Sequence, residues 1–444
     1  MAKPRIYYTE EPKEKALVVG VNLHSQQDLL SLEDSLAELE RLADTAGVEV
    51  VGYVSQNLKS PNPKTYIGSG KVEEVKMLAE GMEADIVIFD NELSPRHQRE
   101  LEESFGDSLR VLDRTALILD IFAQHARTRE GSLQVELAQY EYRLPRLTRA
   151  WTHLARQAGG GGGRAGSVGG VGLRGPGETQ LEVDRRIITK RIEFLKAELE
   201  KVRDQRMRYR QRRKKSQIPV VALVGYTNAG KSTLLNKLSD SDVYVADQYF
   251  ATLDPTTRRV DLPGGQTVLL TDTVGFIQKL PTELVAAFRA TLEEISEADV
   301  LLHLVDITHA NAEAQVKSVH ETLLDIGAGD VPMVFALNKI DMVKDTASER
   351  AVIEGAPDGY PVSALTGKGL EELLSAVECE LFESYIELDV QIPYQEGQLL
   401  SLFHEFGQVQ EIQSVESGTW IKGLLPRRLF FHFEPYLNSE SDIE

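Results

Sequence analysis

A glycine-rich turn between an apolar strand and a helix contains the first residues whose spacing suggests chemistry. The run Gly225-Tyr226-Thr227-Asn228-Ala229-Gly230-Lys231-Ser232 fits the pattern G-x-x-x-x-G-K-[ST] and follows the apolar residues 219–224. The two glycines allow a turn that directs backbone amides onto phosphate oxygens. Lys231 would reach the β and γ oxygens, and the Ser232 hydroxyl would ligate Mg²⁺. The pattern alone is suggestive, and its place between a strand and a helix predicts a nucleotide phosphate site.

Three further short motifs follow in order, each at the end of a predicted strand. Asp272-Thr273-Val274-Gly275 would place a carboxylate at the Mg²⁺ site and the Gly275 amide on the γ-phosphate. In Asn338-Lys339-Ile340-Asp341, the Asp341 carboxylate can accept from N1–H and from the 2-amino group of guanine, a pair that adenine lacks. Ser363-Ala364-Leu365 would supply a backbone amide for the guanine O6. The four motifs together predict GTP as substrate and GDP as product.

The segment Phe250 to Arg258 lies between the first and second motifs and contains several hydroxyls. A hydroxyl here completes Mg²⁺ coordination when the γ-phosphate is present, so the segment should become ordered with GTP. We select Thr252 as this ligand, with Thr256 as the alternative. Phe276 occupies the position after Gly275 where a glutamine usually orients the attacking water, so hydrolysis by the free protein should be slow.

The predicted site residues fall into three groups. The catalytic residues are Lys231, Thr252 and Gly275. The Mg²⁺ ligands are Ser232, Thr252 and Asp272. The nucleotide-binding residues are Gly225, Tyr226, Thr227, Asn228, Ala229, Gly230, Lys231, Ser232, Thr233, Phe250, Ala251, Thr252, Leu253, Asp254, Asp272, Thr273, Val274, Gly275, Asn338, Lys339, Asp341, Ser363, Ala364 and Leu365.

The elements that must position these residues alternate between strand-like and helical patterns, which predicts a multidomain α/β protein. The predicted domains are an N-terminal α/β domain at 1–113, a helical hairpin at 114–216 with a glycine-rich tip at 158–180, a P-loop GTPase domain at 217–385, and a small α+β domain at 386–444 with an acidic, disordered tail. In the last domain we expect a helix over Gly397–Phe406 and strands over 409–415, 419–423 and 428–433.

The hairpin carries a strong segregation of charge. The chain as a whole has a formal net charge of -20, which disfavours a general affinity for nucleic acid. The second helix nevertheless ends in a run almost without acid: Arg206, Arg208, Arg210, Arg212, Arg213, Lys214 and Lys215. A solvated linker is the simpler explanation, but a contact with a polyanion is the better one for so basic a run on an acidic protein.

Two other features limit the classes of function. A single cysteine, Cys379, cannot form an internal disulfide, and we interpret it as a packing residue. No stretch approaches the roughly 20 apolar residues needed to span a bilayer, and the N-terminus lacks a long apolar segment. These features predict a cytoplasmic protein, which we expect to be monomeric.

A resemblance adds to these interpretations. Phe250 to Arg258, Asp272 to Phe276 and above all Gly172 to Glu182 (GLRGPGETQLE), which precedes the basic helix, resemble the HflX family of bacterial GTPases over essentially the whole chain. The resemblance implies the domain order given above, binding to the large ribosomal subunit and its ribosomal RNA, and splitting or rescue of stalled ribosomes. It also implies ATP binding and RNA remodelling through the N-terminal part.

Two other functions compete with a ribosome-associated GTPase. An ATP-driven RNA remodelling enzyme would need a second phosphate site, and the glycine turn at Tyr66 to Val75 is the feature that could supply it, although a plain helix start explains that turn equally well. A GTPase docked peripherally on a membrane would use the basic run to bind lipid. Liposome binding without ribosome binding would identify it.

Overall fold

The structure is a computed structural model that describes residues 13–23, 29–106, 109–147, 180–215, 218–239, 249–250, 255–279, 289–343, 359–382, 385–415, 417–426 and 429–437. Three predicted features lie outside the described residues: the tip at 158–180 apart from Gln180, the segment Ala251–Asp254 with Thr252, and the acidic tail at 439–444. In the part of the chain that is described, no helix is both long and apolar enough to cross a bilayer.

The N-terminal sheet is parallel, with strand order β2-β1-β3-β4. Alternate residues of β1 face opposite sides: Ala16 and Val18 pack with helices α1 and α4, whereas Leu17 and Val19 pack with α2 and α3. The elements are β1 Lys15–Leu23, α1 Leu32–Thr45, β2 Glu49–Leu58, α2 Ser69–Gly81, β3 Ile86–Phe89, α3 Pro95–Phe105, β4 Arg110–Asp113 and α4 Arg114–His125.

Helix α4 follows β4 without a break and joins the core of this sheet through Leu117, Ile118 and Phe122. The Asp113 side chain accepts from the Ala116 amide and so caps α4. We therefore place the boundary of the N-terminal domain after α4 rather than at residue 113.

Two helices follow, α5 Arg129–Arg143 and the 36-residue α6 Gln180–Lys215. They contact each other through an apolar cluster that contains Leu137, Ile192 and Leu195. Ion pairs join Glu136 to Arg191 and Glu141 to Lys196 across the contact. Ile192 and Leu195 of α6 therefore hold α5 through Leu137.

The central sheet has the order β10-β9-β8-β5-β7-β6, in which only the β6–β7 pair is antiparallel. The elements are β5 Val220–Gly225, α7 Lys231–Ser239, β6 Thr256–Asp261, β7 Thr267–Asp272, α8 Arg289–Ser296, β8 Val300–Asp306, α9 Ala312–Asp325, β9 Met333–Asn338, β10 Gly359–Pro361 and α10 Leu370–Phe382. The carboxyl ends of β5, β7 and β9 meet at one edge, as expected for a ligand site in an open parallel sheet.

The C-terminal part is an antiparallel sheet of order β11-β13-β12 with helix α11 on one face. Its elements are β11 Tyr385–Ile392, α11 Gly397–Phe406, β12 Gln408–Val415, β13 Gly418–Pro426 and the short α12 Phe430–Phe433.

Two predictions, a strand over 428–433 and a packing role for Cys379, are wrong. Residues 430–433 are helical rather than part of a strand over 428–433, because Phe433 packs edge-on against Phe403 of α11, with ring centroids 5.4 Å apart. A short apolar run does not distinguish a strand from a buried helical turn. Cys379 is exposed on α10 and is not a packing residue.

Candidate active site

Two glycines shape the phosphate loop. It connects β5, which ends at Gly225, to α7, which begins at Lys231. Gly225 and Gly230 have φ of 146° and 97°, a region that favours glycine. A Cβ atom would lie 2.4 Å from the Leu304 carbonyl oxygen at Gly225, and 2.4 Å from Asn338 Nδ2 at Gly230. The loop conformation therefore requires both glycines.

Lys231 folds back over this loop and is buried. Its ammonium donates to the carbonyl oxygens of Gly225, at 3.0 Å, and Tyr226, at 2.8 Å. Burial lowers the pKa of Lys231 to about 8, and the Asp272 carboxylate opposes this shift. A phosphate at the loop would give the lysine an anionic partner and favour its charged form.

The second motif lies directly beside the loop. The Ser232 hydroxyl is 2.7 Å from Asp272 Oδ2, and the Thr273 hydroxyl donates to the Leu223 carbonyl at 2.6 Å. The latter bond anchors the residue after β7 to the middle of β5. Two oxygen atoms that could ligate a metal ion, one from a hydroxyl and one from a carboxylate, are thus held together beside the loop.

Gly275 and Phe276 lie against the loop through backbone hydrogen bonds. The Phe276 amide donates to Gly225 O at 3.1 Å, and the Thr227 amide donates to Phe276 O at 2.8 Å. A Cβ atom at Gly275 would lie 2.8 Å from Thr227 Cγ2 and 3.2 Å from Lys231 Nζ. Glycine is therefore required where the chain passes over the lysine.

The third and fourth motifs are joined to the loop by one asparagine. Asn338 Nδ2 donates to the Ala229 carbonyl at 2.8 Å, while Asn338 Oδ1 accepts from the Ala364 amide at 2.9 Å. The Ser363 hydroxyl donates to Asp341 Oδ1 at 2.6 Å, which orients the carboxylate. The Asp341 carboxylate is thereby held in an exposed position at the end of β9.

The remaining predicted residues are placed less directly. Lys339 adopts φ 71° and pairs with Asp306 at 2.7 Å, Thr233 follows Ser232 on α7, and Leu365 is exposed. Thr256 begins β6 opposite Asp272. Phe250 is buried in the apolar cluster that also contains Val274 and Phe276.

Sequence reasoning missed a set of N-terminal residues that contact this site. Tyr226 Oη donates to Glu38, and Lys279 Nζ donates to Asp90. Asp90 directly follows the apolar strand β3, and a polar residue at the carboxyl end of a parallel strand is a signal that could have singled it out. The pairing itself has no sequence signal, since the partners lie 188 and 189 residues apart.

The glycine turn at Tyr66 to Val75, which the sequence offers as a second phosphate site, has an amide and a lysine that are bonded within the protein. The Gly68 amide donates to Gln56 Oε1 at 3.2 Å, and Lys71 pairs with Glu74 at 2.8 Å. Gly68 is the N-cap of α2, and the local bonding does not support the ATP alternative.

Comparison with known proteins agrees with the geometry. Three family profiles match in succession: "GTP-binding GTPase N-terminal" at residues 33–123, "GTP-binding GTPase Middle Region" at 125–213, and "50S ribosome-binding GTPase" at 220–339. "GTPase HflX" of Caldanaerobacter subterraneus subsp. tengcongensis is 47% identical over 92% of this chain and 90% of its own length. "GTPase HflX" of Escherichia coli is 43% identical over 91% and 92%.

This chain belongs to the HflX family of GTPases. Its activity is accordingly GTP hydrolysis, as the four motifs predict, and the resemblance and the multidomain α/β fold are confirmed. Among solved structures, this chain is similar to a GTP-binding protein from Sulfolobus solfataricus in complex with GDP. The identity is 25%, the coverage 83% of this chain and 98% of that one, and the TM-score 0.41.

Proposed function

We propose that this GTPase binds the large ribosomal subunit through ribosomal RNA and uses GTP hydrolysis to time its release after splitting or rescuing ribosomes. The observation that carries the proposal is α6, a 36-residue helix about 54 Å long at 1.5 Å per residue. It begins where the glycine-rich segment ends and finishes in the basic run 206–215. The profile matched by the central domain is also named for binding the 50S ribosome.

The distribution of charge along α6 supports a polyanion as the partner. Its first half is matched to acids, since Arg191 pairs with Glu136 and Lys196 with Glu141 of α5. The run 206–215 follows this matched part on a chain with a net charge of -20. A long helix that ends in concentrated positive charge is suited to the phosphates of folded RNA.

The Ser232 hydroxyl and Asp272 carboxylate fit a magnesium ion, because Mg²⁺ prefers hard oxygen ligands and two such oxygens lie 2.7 Å apart here. We propose that these residues, with Thr252, hold Mg²⁺ beside the phosphates. The ion would neutralise charge between the β- and γ-phosphates. The chain itself binds phosphate through Lys231 and orients the γ-phosphate with the Gly275 amide.

Phe276 supports the need for a partner. Its side chain is buried in the apolar cluster and cannot orient a water molecule. We propose that the bound large subunit orders Thr252 and its neighbours and fixes the attacking water. Free sites of this type turn over at about 10⁻⁴ to 10⁻³ per second, and the large subunit should increase single-turnover hydrolysis by roughly 10²-fold.

Co-sedimentation with ribosomal subunits, with and without a non-hydrolysable GTP analogue, tests the binding. We expect binding to large subunits that falls steeply with salt. Arg208, Arg210, Arg212 and Arg213 changed together to Glu, or deletion of 159–172, should abolish it and leave GTP affinity unchanged. An affinity that does not change with salt concentration would indicate contact with a protein surface. Binding only to liposomes would overturn the proposal.

A further inference from the structure

One buried hydroxyl of the phosphate loop forms no hydrogen bond with the part of the chain that the structure describes. Thr227, two residues after Gly225, is 6% exposed. Its Oγ1 atom is buried, and none of the described residues donates to it or accepts from it. A buried polar atom without a partner makes the folded state less stable. Such atoms are therefore rare, and a catalytic role is one of the reasons that they persist.

Thr227 lies against the residue that precedes Phe276. Its amide donates to the Phe276 carbonyl at 2.8 Å. A Cβ atom on Gly275 would be 3.0 Å from Thr227 Cα, 2.8 Å from Thr227 Cγ2 and 3.2 Å from Lys231 Nζ. The Thr227 side chain and the Lys231 ammonium therefore flank the same side of Gly275.

Two other hydroxyls of the motifs are already bonded to the protein. The Ser232 hydroxyl donates to Asp272 at 2.7 Å, and the Thr273 hydroxyl donates to the Leu223 carbonyl at 2.6 Å. The Thr227 hydroxyl differs from both, because it is buried beside the proposed phosphate position without such a bond. It is therefore available to a ligand.

A polar group is needed beside Gly275, because Phe276 is apolar and buried. At many GTPase sites a glutamine in this place orients the attacking water. A threonine hydroxyl can also do so, since its oxygen accepts one hydrogen bond while its O–H donates another. Thr227 Cγ2 lies against Gly275, and a β-branched side chain has few χ1 rotamers. The direction of Oγ1 is therefore restricted, which reduces the reorganisation needed during the reaction.

We propose that Thr227 is a catalytic residue for GTP hydrolysis: its Oγ1 accepts a hydrogen bond from the attacking water and so performs the task of the missing glutamine. In this step the water oxygen bonds to the γ-phosphorus. The bond from that phosphorus to the β–γ bridging oxygen breaks, and its electron pair remains on GDP. One water proton passes to a γ-phosphoryl oxygen, so the threonine neither gains nor loses a proton.

The inference rests on the proposal that Lys231 and the Gly275 amide bind the γ-phosphate, but it does not depend on the ribosome as partner. The hydrogen bond from the water to Thr227 contributes to the slow hydrolysis by the free protein. It can therefore be tested without ribosomes.

Single-turnover hydrolysis by the full chain tests the hydroxyl directly. Thr227→Val keeps the shape of the side chain and removes the oxygen, so the rate should fall about tenfold, the size expected for one lost hydrogen bond. Thr227→Ser keeps the hydroxyl and should stay near the wild-type rate. Thr419→Val changes a threonine of β13 that is 9% exposed. As the matched control, it should leave the rate unchanged.

Affinities distinguish a contact with the attacking water from a contact with bound GTP. Thr227→Val should keep the wild-type affinities for GDP and for a non-hydrolysable GTP analogue, because a contact made only in the transition state changes the rate and not ground-state binding. The affinity for GDP with aluminium fluoride, which imitates the transition state, should fall about tenfold, as the rate does. The denaturant midpoint should not fall, since the hydroxyl has no bond to the described residues that could be lost.

Three results for Thr227→Val would overturn the proposal: a wild-type rate, a loss of affinity for the GTP analogue but not for GDP, or a lower denaturant midpoint. The second result would assign the hydroxyl to the γ-phosphate of bound GTP, and the third would assign it to the structure of the loop.

Lys231→Ala distinguishes failure of this inference from failure of the proposed phosphate site. If Lys231→Ala keeps the wild-type affinity for GTP, the phosphates bind elsewhere and the proposed site is wrong. If that affinity falls as expected, a wild-type rate in Thr227→Val counts against Thr227 alone.

Discussion

The two ends of the nucleotide site are built in different ways. At the base end, the bonds that Asn338 makes to Ala229 and Ala364 and that Ser363 makes to Asp341 all lie within the GTPase domain. At the phosphate end, Tyr226 and Lys279 bond to carboxylates of another domain. The end where we propose that guanine binds is therefore built within one domain, whereas the end where we propose that the phosphates bind depends on how two domains are packed together.

This difference separates the two ends physically. The bonds at the base end do not depend on the packing of the N-terminal domain. At the phosphate end, a change in the packing of the two domains would break the bonds of Tyr226 and Lys279.

The largest effect should come from the base end. Asp341→Asn replaces an acceptor by an amide that can also donate, so preference should shift from guanine towards xanthine. We expect the ratio of GTP to xanthosine triphosphate affinity to fall by about 10³-fold, because unmatched polar groups are strongly rejected. Equilibrium titration with both nucleotides measures it. A variant with full GTP affinity and no gain for the xanthine nucleotide would show that the base binds elsewhere.

Lys231→Ala should have the next largest effect. It removes a charge-assisted contact to the phosphates, so affinity for GTP and GDP should fall by roughly 10²-fold. The same titration, with guanosine as a ligand that lacks phosphate, checks the assignment: guanosine binding should stay at the wild-type value. An equal loss for guanosine would mean that the variant had damaged the base end as well.

The sequence predicted the residues within the motifs but not the contacts between the two domains. Each of the four motifs is a short run of consecutive residues, so Gly225, Asp272 and Asp341 could be selected from the sequence alone, and their contacts with the nucleotide stay a prediction. The bond from Tyr226 to Glu38 joins residues 188 positions apart, and only the packed domains bring them together. Strand alternation likewise predicted the sheets, while the brief α12 was too short to show a period.

The contact between the domains should also be visible in stability. Phe122 is buried and meets Phe250, so Phe122→Ala should reduce the free energy of unfolding by about 3 kcal/mol or more. Chemical unfolding of the full chain measures it. Phe194→Ala, at a half-exposed position on α6, is the control and should cost far less. Equal losses in the two variants would argue that the edge-on contact contributes little.

The smallest effect concerns a histidine behind the phosphate loop. His303 of β8 is buried, and burial, together with Lys231 and His320, lowers its pKa to about 3. An unfolded histidine binds a proton near pH 6.5, so between pH 6.5 and 3 the unfolded state binds more protons and stability falls as pH falls. From pH 7 to pH 5 the loss from this group should be about 2 kcal/mol.

His303→Leu should remove that part of the acid sensitivity, whereas His320→Gln, at an exposed position on α9, should retain it. Hydrogen exchange of the β8 amides at both pH values, corrected for intrinsic rates, measures the difference. Wild type and His303→Leu with the same pH dependence would show that His303 is protonated in the folded protein, and that Lys231 has a charged neighbour at low pH.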